Sequence, residues 1–545
     1  MTYRHWIDEL ADRLIDSLRS RGKDVLMFNG GLSVSGLQHV GRLRGEIIIP
    51  ETLRRILSRR GLRIKQYLTL YTQDAWKGKE SQRRVFKDPG EAKKYIGWPL
   101  VKVPDPEGCH NNWVEHFWED FGPYIKEFTD GNIEVVTTTD LYAGKLREFT
   151  KKTFELRDKV REIINKYRGR KKYPESWIPF EPICEGCGRI DKTEATKIIG
   201  NERIEYKCRN CGHRGETSIV KGKLNWRIEW VGVWWALGVD FEPYGKDHAT
   251  PGGSRDSCVD LAINAYGIRP PEGIPYEWVA MRTKDKRIVD MSSSDFTGFT
   301  PREWYEVAHP HIYRFLVLRT PPMKKLIVSL YEIPQYYSQY YQAERIYYGV
   351  EDPGDEEKKT LLSRSYELSY PNGEPPKKMP EQVPYTHLAV LVQLIPRELW
   401  GTEGLRRLRN SGHLPEKPTE YGVKRILETM ERASRWVEKY APDYLKIRLL
   451  PEPDPRIIGE ISPGHREILY RMGEMLEELE EWSEDVIKNI MIEATKNLSP
   501  KERRSLYHSF YRLFLGQPSG PRAAPLIALI GKETSVRFLK SVKER

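Results

Sequence analysis

Residues 24–46 read DVLMFNGGLSVSGLQHVGRLRGE. The apolar run over 24–29, ending in Gly30-Gly31, predicts a buried strand that opens into a turn. From about residue 41 to 60 apolar residues recur at helical spacing, and 63–71 (RIKQYLTLY) predicts a second strand. Strand, glycine-rich turn, helix and strand in this order open a doubly wound parallel α/β sheet. Ligands of such sheets sit beyond the carboxyl ends of the strands, which directs attention to residues 30–41. Small residues there let backbone amides approach a phosphate at a helix N-terminus. His39 and Arg42 can donate to the same anion, although His39 taken alone reads equally well as a surface histidine.

Further strand and helix units are expected at 132–137 with a long helix over 141–167, and at 239–244 with a helix after residue 254. Residues 1–23 predict an amphipathic helix, charged throughout and unlike a signal peptide. A hairpin is expected over 275–289, and beyond about residue 298 strand signals fade. Helices are then expected over 310–319, 322–346, 421–440, 463–497 and 501–515. The polar, proline-bearing stretch 347–383 reads as a connecting segment.

A cysteine-bearing insertion interrupts the α/β pattern at 181–216. Cys184-x-x-Cys187 and Cys208-x-x-Cys211 have the spacing of two zinc knuckles, and Gly188 and Gly212 permit the tight turn after each. Four thiolates close a tetrahedron and leave no open position, so the expected Zn²⁺ is structural. His213 reads as a neighbour and not a ligand, and Cys109 and Cys258 as buried apolar residues.

At about 150 residues per domain, a chain of 545 residues predicts three or four domains. A hydrophobic share of 39% suffices for packed cores and excludes a disordered chain. No stretch approaches the ~18 uncharged apolar residues of a membrane span. The net charge of +11 suits a polyanionic partner, and 31% charged residues lean toward a heat-adapted source. Six cysteines in so long a chain are no disulfide scaffold, which points to the cytosol.

A second segment, DMSSS at 290–294, gives the first its meaning. His39-x-Gly41 upstream and Met-Ser with small hydroxyl residues downstream resemble the HIGH and KMSKS signatures of class I aminoacyl-tRNA synthetases, which bind ATP and stabilise adenylate formation. DPEGCHNNWVEHF from Asp105, WRIEWVGVWWALGVDFEPYGKDH from Trp226, AERIYYG from Ala343 and LGQPSGPRAAPLIALIGKE from Leu515 resemble the archaeal-type class I lysyl-tRNA synthetases, in order along nearly the whole chain. The resemblance implies a Rossmann-type catalytic domain in two parts, 1–180 and 217–300, around a zinc-ribbon-like insertion at 181–216. A helical connecting region at 301–383 and an all-α anticodon-binding domain at 384–545 would follow. It implies activation of L-lysine by ATP with Mg²⁺ and transfer to tRNA(Lys), by a cytoplasmic enzyme expected to be a monomer. His39 and Gly41 match the first signature, where Arg42 stands in place of the family's usual asparagine or histidine and can still donate to a phosphate, and Met291, Ser292, Ser293 and Ser294 match the second. Gly31, Ser33, Trp226, His248 and Tyr276 look like the family's amino-acid pocket.

A lysine pocket needs an aromatic or apolar wall for the stem and a carboxylate for the ammonium. Trp226 and Tyr276 suit the wall, and Asp74 and Glu229 are the candidate carboxylates, with a surface salt bridge as the plain alternative for Glu229. The KMSKS lysines are replaced by Asp290 and Ser293, and Asp295 follows the serines. Cations normally meet the charge growing on pyrophosphate, so Lys286, with Lys284 and Arg287 beside it, is the expected substitute. A weakened paralogue that binds tRNA without charging it, and a class I synthetase for another amino acid such as glutamate, are the competing readings. Basic runs at 59–60, 168–172 and 503–504 offer phosphate contacts without singling out any residue.

Overall fold

The computed structural model describes residues 3–543, so the first two residues of the helix expected over 1–23 lie outside it. The chain divides into two compact units. One comprises Met1–Trp304, Pro310–Ser329 and Asp352–Pro375, the other Tyr305–His309, Leu330–Glu351 and Pro376–Arg545.

The first unit is built on the expected parallel sheet. β1 (Leu26–Leu32) pairs in parallel with β2 (Ile64–Leu70), Leu26 opposite Ile64 and Leu32 opposite Leu70. β2 pairs in parallel with β3 (Glu134–Thr137) on its far side. On the other flank of β1 the chain at Phe241 forms a parallel bridge to Phe28, and Glu272 bridges Phe241 in turn. Spatial order therefore reverses at β1, which makes the gap between β1 and the Phe241 segment a topological switch point.

α1 (Trp6–Arg19) buries Ile7, Leu10, Ala11, Leu14 and Leu18, a stripe at spacings of three and four, and the His5 ring caps it by accepting from the Ile7 amide. α2 (Ile49–Arg59) begins from a π-helical turn, Arg44–Ile48, whose five residues are all buried. Such a turn redirects the side chains on either side of it.

A fully buried arginine ties the later segments of this unit to the sheet. Arg314, in helix Pro310–Leu318, lies 2.9 Å from Glu51 of α2, and both side chains are 0% exposed. It also donates to the carbonyls of Phe128, Leu368 and Ser369 and to Thr52 Oγ1. Residues 347–383, expected as a connecting segment, thus contain a helix, Glu356–Leu368, whose Arg364 pairs with Asp8 of α1.

Other helix expectations are corrected by local breaks. Residues 141–167 form three helices, Thr138–Ala143, Lys145–Glu155 and Arg157–Lys166, because Gly144 and Leu156 leave helical geometry. In 322–346 the run Leu326–Val328 is a strand beside Val279–Met281, and a helix begins only at Ile333 with Pro334 in its first turn. Residues 463–497 divide into Pro463–Glu477 and Glu484–Thr495. The expected hairpin is Val279–Arg282 against Ile288–Asp290.

The cysteine insertion is a three-stranded antiparallel sheet, Thr193–Ile199, Arg203–Cys208 and Arg214–Ser218. It leaves and rejoins the unit through paired strands Phe180–Pro182 and Gly222–Leu224. In the second unit every regular element among the described residues is helical. Its helices Ile333–Tyr347 and Glu420–Lys439 are locked by a buried ion pair, Arg425 to Glu344 at 2.7 Å.

Removing one partner of a buried pair strands the other charge, at a cost of about 3–5 kcal/mol. Arg314→Ala should therefore lower the calorimetric melting temperature clearly, and adding Glu51→Leu to Arg314→Met should recover part of the loss. An Arg314→Ala protein that melts like the wild type would contradict this account of the pair.

Candidate active site

At the switch point the ends of β1 and β2 open into a cleft of about 760 Å³. Both sequence segments meet there. Gly31, Ser33, His39, Gly41 and Arg42 line it from one side, and Met291, Ser292, Ser293 and Ser294 from the other. Asp74, Trp226, Glu229, His248 and Tyr276 line the remainder.

Close packing sets the first signature. A Cβ at Gly41 would sit 2.9 Å from His39 Nδ1, and one at Gly298 would sit 2.8 Å from His39 Cβ. Gly36 faces Ser293, whose carbonyl oxygen would lie 2.5 Å from a Cβ there. His39 is 7% exposed, and its Nδ1 has no hydrogen-bond partner. Burial, with the Arg42 charge adding to it, pushes the His39 pKa down to about 3. The imidazole is therefore neutral at physiological pH and free to bond a ligand. Arg42 Nε is likewise buried without a partner.

Below them the backbone is drawn tight. A side chain at Gly30 would strike the carbonyl of Glu46, and one at Gly45 would strike the Tyr276 ring. Glu46 accepts from the Gly31 amide at 3.0 Å and from the Tyr276 hydroxyl. Burial raises the Glu46 pKa to about 7 against the lowering pull of those bonds and of Arg42. Arg44, wholly buried, donates to the carbonyls of Glu277, Thr320, Pro321 and Lys324. These contacts join the π-helical turn to the segment that carries Tyr276.

The amino-acid side of the cleft differs from expectation in one respect. Asp74 and Glu229 are already engaged by an internal cation, Lys223, at 2.6 and 2.8 Å. Burial opposes the charge on Lys223, but Asp74, Glu229 and Glu181 hold its pKa well above the ordinary lysine range. Glu229 is 1% exposed and also accepts from Tyr142, whereas Asp74 keeps a third of its side chain exposed at the cleft wall. Trp226 and Trp230 flank His248, with ring centroids 6.1 and 5.1 Å away. Glu242, which the sequence did not single out, accepts from the indoles of Trp230 and Trp234 and lines the cleft floor. It lies three positions after Val239, inside the long segment that begins at Trp226, where it was read only as part of a resemblance.

The second signature is placed differently from its expected helper. Lys286 lies in the turn of the hairpin with φ 64°, exposed and outside the cleft lining. Neither acidic replacement is bare. Asp290 pairs with Lys325 at 2.7 Å, and Lys79 lies 2.9 Å from both oxygens of Asp295.

The four insertion cysteines converge. Their sulfurs all lie within 4.8 Å of one another, Cys184 to Cys211 at 3.6 Å and Cys187 to Cys208 at 3.7 Å. Zn–S bonds of about 2.3 Å in a tetrahedron place sulfurs roughly 3.8 Å apart, so the donor set fits Zn²⁺. His213 stands outside that set. Cys109 is not buried as expected. It is exposed, 3.1 Å from His110 Nδ1 and 3.4 Å from His116 Nδ1, and His116 lies 3.0 Å from Asp105. These four residues are a second donor set of metal-binding size. The segment 105–116 carried that signal in its Asp, Cys and two His, read only as part of a resemblance. Cys258 is buried.

Two comparisons bear on this site. The family profile described as "tRNA synthetases class I (K)" matches residues 4–372. The lysine–tRNA ligase of Aeropyrum pernix is 54% identical over 97% of this chain and 96% of its own length. That of Pyrococcus furiosus is 33% identical over 98% and 99%. The cleft at the switch point, bounded by its two signature segments, and these full-length similarities agree: the chain belongs to the class I tRNA synthetase family of the lysine type.

Proposed function

We propose that the chain is a lysine–tRNA ligase that forms lysyl-adenylate from L-lysine and ATP and passes the lysyl group to the terminal adenosine of tRNA(Lys). The observation that carries this reading is the single cleft lined by His39 and Arg42 on one side and 291–294 on the other. In the first step a lysine carboxylate oxygen attacks the α-phosphorus of ATP, and the bond to pyrophosphate breaks. In the second a ribose hydroxyl of the tRNA attacks the acyl carbon and releases AMP.

His39 suits the triphosphate because it is neutral and unpartnered, and can hydrogen-bond without first losing a proton. Arg42 adds a permanent charge with a free donor. Mg²⁺ would ride on the triphosphate oxygens and offset their charge. Gly31 and Ser33 would face the amino-acid backbone, with Trp226, His248 and Tyr276 around the stem.

The ammonium subsite is read from the charge balance around Tyr71, whose own pKa burial raises and Glu242, Glu229, Asp74 and Glu46 raise further. Of these, Asp74 lies at the cleft wall with a third of its side chain exposed, which leaves that end open to a cation even with Lys223 present. Asp74 is the one of the Lys223 pair that remains accessible to substrate. A glutamate substrate would meet repulsion there, which favours lysine over that alternative.

Zinc would be held structurally by Cys184, Cys187, Cys208 and Cys211, each as a thiolate, pinning the two knuckles of the insertion. Asp105, Cys109, His110 and His116 would take a second ion and fix the loop before helix Trp113–Trp118. The helical second unit is the candidate for reading the anticodon, and in it stacking on exposed aromatics would be the expected mode. No helix among the described residues is long and apolar enough to cross a membrane.

Three outcomes test this reading. ATP–pyrophosphate exchange should depend on lysine among the twenty amino acids, and Asp74→Asn should raise KM for lysine tenfold or more with little change in KM for ATP, as loss of a charged hydrogen bond of about 1.5–3 kcal/mol requires. Equal stimulation by glutamate would exclude the pocket assignment. Histidine-selective NMR should find His39 neutral down to about pH 4 in the free protein, its proton binding delayed to about 3 by burial. Because the folded pKa lies below the unfolded value, His39 withdraws stability as pH falls from about 6.5 toward 3. Elemental analysis should give two zinc ions per chain, falling to one in Cys208→Ser and, separately, to one in His116→Ala.

A further inference from the structure

We propose that Lys77 supplies the cation that the DMSSS segment lacks, and that Lys79 holds that segment in position for it. This rests on the reading of the cleft as an adenylate-forming site.

When the α-phosphorus is attacked, the electron pair of the breaking P–O bond passes to pyrophosphate, and donors must meet the charge that grows there. The segment 290–295 offers serine hydroxyls and two carboxylates. The basic residues of the neighbouring hairpin do not reach. Lys284, Lys286 and Arg287 are outside the cleft lining, and Arg287 is paired with Asp285.

A different segment brings two lysines to the place. Lys77 lines the cleft together with His39, Arg42 and the serines. Its ammonium makes no hydrogen bond or ion pair with any described residue, and the nearby Asp295 carboxylate feels its charge. Lys79 Nζ donates to Ser294 Oγ at 2.9 Å and to both oxygens of Asp295. Hydrogen bonds from Lys79 and Ser292, with the charges of Lys79 and Lys77, hold the Asp295 pKa below the usual carboxylate range. The acidic group that would repel a triphosphate is thus spent on a lysine, and Lys77 is left over.

Local structure fixes this arrangement. Trp76 is fully buried against Phe86 and Trp113 and anchors the segment before Lys77, next to the bridge from Ala75 to Pro99. Gly78 takes φ 61° at a point where any side chain would strike Ile96, and Lys77 and Lys79 flank it on either side. The short helix Glu80–Arg83 then fastens to both signature segments. Gln82 Nε2 donates to the Ser35 carbonyl at 2.7 Å, and Ser81 Oγ donates to the Ser294 carbonyl at 2.8 Å. A segment that carries two lysines is therefore braced between the two signature segments.

Lysine-dependent ATP–pyrophosphate exchange in the zinc-loaded full-length protein decides the matter. Loss of one transition-state donor lowers kcat by roughly 10²–10³-fold. Lys77→Ala should therefore lose about a hundredfold or more in kcat, with KM for lysine within threefold, and Lys77→Arg should recover most of it. Lys77 is exposed, so its variants should melt like the wild type. Lys79→Ala should also slow exchange, and the swapped pair Lys79→Asp with Asp295→Lys should restore it in part; a loss of kcat without a fall in melting temperature separates positioning from mere stabilisation. Lysine-dependent exchange in the wild type with Lys77→Ala within threefold overturns this proposal alone, as does a hundredfold loss in Lys286→Ala beside it. A folded wild type without any lysine-dependent exchange overturns the enzymatic reading and this one together.

Discussion

Everything at the cleft depends on how closely the chain after β1 folds back on the strand. The Glu46 carbonyl lies where a side chain of residue 30 would be, and the Tyr276 ring lies where a side chain of residue 45 would be. Two glycines thus let strand, π-helical turn and the Tyr276 segment share a space that a single methyl would fill. The approach brings Glu46 under the Gly31 amide and against the Tyr276 hydroxyl. It also buries Arg44 among four carbonyls and leaves His39 pressed between Gly41 and Gly298. The polar groups of the site are oriented before any ligand arrives, which is the condition under which fixed dipoles and charges favour a transition state.

The same economy governs charge. Buried carboxylates and cations pair through the first unit: Glu51 with Arg314, Glu229 with Lys223, Asp240 with Arg21. Each isolated charge would be strongly unfavourable inside the protein, and each is tolerated because a partner and further hydrogen bonds meet it. At the cleft the balance is left deliberately incomplete. Asp74 keeps part of its carboxylate exposed beside the buried Lys223, while His39 and Arg42 each keep an unpartnered nitrogen.

Much of this was legible in residues 24–46, where an apolar run, two glycines and a helical repeat set strand, turn and helix, and where His-x-Gly pointed to residues that line the cleft. The cysteine spacing named four residues whose sulfurs converge. What sequence could not give was partnership across the fold. Asp74 and Glu229 are carboxylates of the cleft, but nothing near them in the chain announces Lys223, 149 residues from Asp74. Lys286 is close to DMSSS in sequence yet is carried away by its hairpin, whereas Lys79 arrives from 215 residues upstream of Ser294. Residue type alone places a cysteine such as Cys109 in the interior, whereas it is exposed and the histidines that claim it lie one and seven residues on. Periodicity failed at 322–346 for a related reason, since an apolar triplet becomes a strand only when Val279–Met281 is there to pair with it.

The way the first unit is threaded bears on its birth at the ribosome. Its last piece, Asp352–Pro375, supplies the carbonyls of Leu368 and Ser369 to Arg314 and the Arg364 guanidinium to Asp8. A nascent chain that has emerged only through residue 304 holds the sheet and both signature segments, but not these closing contacts. Domains commonly fold in order of synthesis. Here the amino-terminal unit must wait, with α1 and α2 incompletely covered, until translation has passed well beyond residue 375.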